Sequence, residues 1–76
     1  MTEHKISVLA RNKPDVLARI TGLFSAKGCS ISSLAADQTE DPAVTRMQIV
    51  IRGLDEPGAE RMRKHLRRLI DTISVS

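Results

Sequence analysis

Seventy-six residues with twelve Lys and Arg, nine Asp and Glu and a formal net charge of +3 make one small domain. A domain of this size buries only about 60% of the surface its unfolded chain exposes, and its core alone supplies about 3–5 kcal/mol. The single cysteine, Cys29, excludes an internal disulfide, and one cysteine with two distant histidines, His4 and His65, excludes a four-ligand structural metal, so stabilisation by a second copy or a larger partner is expected.

The chain from Lys5 to Arg11 alternates, with Ile6, Val8 and Ala10 on one face and Ser7 and Leu9 on the other. That is the period of a strand, and Leu9 on the second face places it inside a sheet. The loop Asn12-Lys13-Pro14-Asp15 follows. Pro14 suits the first position of a helix, where an N–H would have no partner. Asp15 falls in the first turn, where the helix dipole favours a negative charge. Val16, Leu17, Ile20, Leu23 and Phe24 form one apolar stripe. Gly22 leaves room for a close neighbour, and Gly28 suits a left-handed helix stop. Such a strand–loop–helix turn aims backbone N–H groups at whatever lies above the helix start, which is a ready site for a carboxylate.

Cys29 to Gln38 reads as a second strand, polar enough to lie at a sheet edge and to need cover. Ile31 and Leu34 are three apart, so a bulge near Ser32-Ser33 is expected. Thr39-Glu40-Asp41-Pro42 is a turn by composition. Val44 to Arg52 is the strongest strand, with Met47, Ile49 and Ile51 on one side and Arg46, Gln48 and Arg52 on the other. Gly53 to Pro57 breaks it. Pro57 opens a second helix, with Asp55 or Glu56 near its start. Its buried stripe is read as Ala59, Met62, Leu66, Leu69 and Ile70, with the basic residues outside. Asp71 to Ser76 closes the chain as a short strand. The βαββαβ order predicts an α+β, ferredoxin-like fold, a four-stranded antiparallel sheet with two helices on one face, filling residues 1–76 as one domain.

Little here resembles a catalytic apparatus. No carboxylate is forced beside a histidine by local spacing, His4 is read as lying near the free terminus, and His65 sits among basic residues. Cys29 is best explained as a small residue at a strand start. The first loop lacks the glycines of a phosphate cradle. A non-enzyme is therefore expected, with no catalytic residue, no metal and no cofactor. The basic run Arg61, Arg63, Lys64, Arg67 and Arg68 reads as a solvated helix face, with docking on an acidic protein surface as the alternative. Phe24 is the only aromatic residue, which argues against nucleic acid as a partner. A lone thiol, an opening MTEHK without an apolar run, and no stretch near the ~20 apolar residues of a membrane span predict a cytoplasmic protein with no membrane partner.

Three segments carry a resemblance: ISVLARNKPDVLARITGLFSAKGCSISSL, the turn TEDPAVTRMQIVI and the ending LRRLIDTISVS. Together they resemble the ACT-domain family of amino-acid sensors, and within it the regulatory small subunits of acetolactate (acetohydroxyacid) synthase. The resemblance implies a homodimer formed through ACT domains joined at their sheet edges. It also implies binding and activation of a thiamine-diphosphate-dependent catalytic subunit in branched-chain amino acid biosynthesis, with feedback inhibition by valine or a related amino acid. It places the effector between two domains, with Asn12, Lys13, Pro14, Asp15 and Val16 of one facing Cys29, Ser30 and Ile31 of the other. The effector's ammonium would meet the side-chain oxygen of Asn12, and its apolar side chain would rest on Val16, Leu17 or Ile31.

Two positions depart from the family pattern, which usually has glycine in place of Asp15 and asparagine in place of Ser30. These predict a weak or absent valine response; the alternative is that Asp15 turns outward as an ordinary first-turn acid and leaves the site intact. Many relatives carry a second, C-terminal domain, whereas this sequence ends at Ser76, as a short subunit or a fragment would. A stand-alone amino-acid-binding module acting on another protein is the competing function, and a basic nucleic-acid-binding module a more distant one.

Overall fold

Alternation and amphipathic periodicity produce six elements in the computed structural model, which describes residues 3–76; Met1 and Thr2, the start of the MTEHK segment, lie outside the described residues. The elements are β1 (Glu3–Arg11), α1 (Pro14–Ala26), β2 (Ser30–Gln38), β3 (Val44–Arg52), α2 (Glu56–Arg67) and β4 (Thr72–Val75). The strands form one sheet in the order β2-β3-β1-β4, with every neighbouring pair antiparallel. This is the ferredoxin-like arrangement, with β1 inside and β2 at an edge as their composition requires.

The core lies between the helices and one face of the sheet. Ile6, Val8 and Ala10 of β1 and Met47, Ile49 and Ile51 of β3 pack against Val16, Ile20 and Phe24 of α1 and Met62 and Leu66 of α2. Fully burying each of the larger side chains contributes about 1.5–3 kcal/mol. The helix residues recur at four-residue steps, which keeps them on one face. Gly28, at φ +72°, ends α1 in the left-handed region that glycine tolerates. The Cys29 N–H then turns back to the Phe24 carbonyl at 3.2 Å. In β2 the register slips between Ile31 and Ser33, so Ile31 stands opposite Ile51 and Leu34 opposite Ile49. The bulge thus holds both apolar side chains on the helix side of the sheet.

Two expectations, on Ile70 and Arg63, need correction. Ile70 is not part of the buried stripe: α2 stops at Arg67, the Leu69 N–H tightens onto the Leu66 carbonyl, and Ile70 is left 90% exposed. Gly22 keeps its outer side open: beyond its own helix, no described residue lies within 4 Å of where its Cβ would stand. Arg63 is not on the solvated face, since its guanidinium turns inward to the Glu60 carboxylate and the Lys5 carbonyl. Ser7 bonds Ser76 on the β4 side of β1, so Lys5, two residues earlier, aims its carbonyl the same way, where Arg63 meets it. His4, near the terminus in sequence, is buried because it continues the Ile6–Val8–Ala10 face. Its Nε2 lies 3.0 Å from the Leu54 carbonyl, which ties β1 to the loop before α2.

Candidate functional site

The start of α1 is open. Lys13 is the N-cap residue, extended at φ −128° and ψ 137°, and no side chain caps the helix. Pro14 has no N–H to offer. The Val16 and Leu17 N–H groups both return to the Lys13 carbonyl, at 3.1 and 3.2 Å. Asp15 is therefore the first-turn residue whose N–H has no partner among the described residues. Its carboxylate turns away along the helix to Arg19, 3.2 Å distant, in an exposed i,i+4 pair. Of the two orientations open to Asp15, the outward one is observed.

The turn between β2 and β3 holds this loop in place. The Asn12 N–H donates to the Ala43 carbonyl at 2.8 Å, and its side-chain Nδ2 donates to the Pro42 carbonyl at 3.2 Å. With the amide nitrogen so engaged, Oδ1 of Asn12 is its remaining acceptor. The turn is itself locked: the Asp41 carboxylate accepts the Ala43 N–H at 2.9 Å, and the Thr39 hydroxyl donates to the Asp41 carbonyl at 2.9 Å. The TEDP segment is thus the support of the Asn12 loop, a role that its turn composition alone does not reveal.

Val16 needs a correction. Its side chain is 2% exposed within the core, so it anchors the loop from below and offers no surface to an effector. Leu17 is half-buried beside it.

The second group lies elsewhere. Cys29 is half-buried, Ser30 opens β2 opposite Arg52, and Ile31 is 38% exposed. Burial pushes the Cys29 thiol up, against a weaker opposing pull from Lys27. Arg52 binds Glu3 at 2.7 Å and holds that carboxyl below the usual carboxylate range, with a further small pull from Ser32. Strand register sets the distance between the two groups. Arg11 is opposite Val44 and Gln38 opposite Thr45, so the Asn12 loop lies at the Gln38 end of β2. Ser30 is at the other end, eight residue steps or about 25 Å away. One chain does not bring Asn12–Asp15 and Cys29–Ile31 together.

The comparisons with known proteins follow the same segments. Residues 6–74 match the family model described as "AHAS small subunit-like ACT domain". The chain belongs to that family. An Archaeoglobus fulgidus protein named "Probable acetolactate synthase small subunit" is 47% identical over 74 residues, which are 97% of this chain and 46% of that protein. The "Acetolactate synthase small subunit" of Mycolicibacterium smegmatis is 44% identical over 72 residues, 95% of this chain and 42% of the relative. The crystal structure of the Thermotoga maritima acetolactate synthase small subunit superposes with a TM-score of 0.88 at 32% identity, covering all of this chain and 47% of that one. The chain spans less than half the length of these relatives. No helix among the described residues is long and apolar enough to cross a membrane, and no cluster of His, Cys, Asp and Glu among them could hold a metal ion.

Proposed function

We propose that this ACT domain acts as a cytoplasmic, non-catalytic regulatory subunit of acetolactate synthase. Two copies pair along their β2 edges, bind the thiamine-diphosphate-dependent catalytic subunit and raise its activity. The observation that carries this reading is the unpaired β2 edge with Ile31 and Leu34, 38% and 48% exposed, on the helix side beside it. An edge of this kind needs cover, and a small core gains stability from a second copy. Antiparallel pairing of two β2 strands sets the Gln38 end of one against the Ser30 end of the other. The Asn12 loop of each copy then approaches Cys29, Ser30 and Ile31 of its twin.

The effector in that gap is valine or a related branched-chain amino acid. Its carboxylate meets the Asp15 N–H at the uncapped helix start, its ammonium meets Oδ1 of Asn12, and its side chain rests on Leu17 and Ile31. Asp15 and Ser30 weaken this site without closing it, since the Asp15 charge is drawn aside by Arg19.

The test is to purify the chain with the catalytic subunit of its own cell and measure turnover against added domain, with and without valine. A saturable rise in turnover and weak inhibition by valine are expected. No change in turnover at saturating domain rejects the reading; tight valine binding without any synthase partner favours a stand-alone sensor instead.

A further inference from the structure

We propose that a cleft between the end of α1 and the first turns of α2 is where an acidic segment of the catalytic subunit, carrying an apolar side chain, docks; this rests on the regulatory-subunit reading above. The cleft encloses about 210 Å3 and is lined by Lys27, Leu54, Gly58, Arg61, Met62 and His65. Its floor is apolar, with Met62 buried and Leu54 packed against the core. Gly58 lets Leu54 pack closely against the start of α2, since a Cβ there would meet the Leu54 side chain at 3.3 Å.

The rim is basic. Lys27 comes from the turn after α1, and Arg61 and His65 are four residues apart on one face of α2. Lys27 and Arg61 are exposed, and neither enters an ion pair among the described residues. Arg63 and Arg67 on the same helix share Glu60 instead. No carboxylate lines the cleft, and Asp55 beside it is committed to the Gly58 N–H at 2.8 Å. Two cations without an ion-pair partner among the described residues therefore converge on an apolar floor.

Drug-sized ligands occupy sites of about 300–1,000 Å3, so this shallow cleft suits the side chains of a protein segment better than a molecule of that size. An apolar floor with an arginine at its rim fits an interface, where the centre is apolar and arginine is enriched. Opposite charge on the partner speeds docking and sets its register. The Lys27–Gly28–Cys29 turn also joins the cleft directly to the strand start proposed as one wall of the effector gap, so docking and sensing share a backbone segment.

The experiment measures the affinity of the full chain for the synthase catalytic subunit. The cleft pair Lys27→Glu with Arg61→Glu is compared with Lys64→Glu with Arg68→Glu, an equal charge change at exposed sites outside the cleft. The cleft pair should weaken binding roughly tenfold or more, the control pair by no more than about twofold, and the difference should shrink as salt screens the charges. Unchanged melting of all variants establishes that they fold. Equal losses for both pairs, or no loss for the cleft pair while wild type binds and activates, overturn the cleft and leave the regulatory reading standing. Wild type that fails to bind the synthase removes both. Inorganic phosphate bound by wild type and lost in the cleft pair, with synthase affinity unchanged, reassigns the cleft to a small anion and also overturns the proposal.

Discussion

The two helices of this domain begin in opposite ways. At α2, Asp55 caps the helix by accepting the Gly58 N–H at 2.8 Å, and Gly58 leaves the room this needs, since a Cβ there would meet Asp55 Oδ1 at 3.0 Å. At α1, Lys13 stands in the cap position, no side chain caps the turn, and Asp15 turns away to Arg19. One helix start carries its own carboxylate; the other leaves the Asp15 N–H without a partner among the described residues. A helix start gains about 1 kcal/mol from a good cap, so the missing cap at α1 is a stability cost that a bound carboxylate could offset. The first half of the domain leaves its helix start uncapped, as the proposed effector site requires, and the second caps its own.

Core substitutions give the largest effects and test whether the halves are otherwise alike. Phe24→Ala in α1 and Leu66→Ala in α2 each remove a fully buried side chain and should cost about 2–5 kcal/mol. Either is enough to unfold the isolated domain, as circular dichroism melts would report. A variant that melts like wild type shows that its helix is packed differently.

The caps should then separate the halves. Asp55→Ala should cost about 1 kcal/mol in urea unfolding, whereas Lys13→Ala should stay within about 0.5 kcal/mol because no cap is lost. Equal costs would erase the distinction between the two starts. Next comes the charge at the open start. Asp15→Gly should tighten valine binding by about fivefold, the equivalent of ~1 kcal/mol for one like charge some 4 Å away in water. Arg19→Ala, which frees the Asp15 carboxylate, should loosen it. Calorimetry that finds no gain for Asp15→Gly means that Asp15 does not limit the site.

The smallest effect concerns the far wall, beside Ser30. Arg52 lowers the ionisation range of Glu3 in the folded chain, so the folded state holds the charged form more readily than the unfolded state does. Its stabilisation is present at neutral pH and is lost as the pH falls into and below the usual carboxylate range. Glu3→Gln should flatten that part of the acid-unfolding profile slightly, because the pair is exposed. An unchanged profile would mean that the pair contributes nothing in solution.

Much of this was legible from local pattern. Alternation placed β1 and β3, the stripe from Val16 to Phe24 placed α1, and the three-residue gap between Ile31 and Leu34 announced the bulge in β2. Ile70 was misplaced because no glycine or proline marks the end of α2, so a helical period was carried one turn too far. His4 was within reach: extending the Ile6–Val8–Ala10 alternation back one step puts it on the core face. Arg63 was not, because its partner, the Lys5 carbonyl, is fifty-eight residues away.

The chain by itself determined the order of elements, the core faces and the family, since each is written in spacings of a few residues and in short motifs. Only the tertiary structure decided what meets what. It showed that the TEDP turn holds Asn12, that Asp15 faces Arg19, and that Val16 lies inside the core. It also placed the two halves of the expected effector site about 25 Å apart along β2. The reason is physical: a hydrogen bond from Asn12 to Pro42, or a cleft between Lys27 and Arg61, joins residues about thirty positions apart, and no local periodicity encodes such contacts.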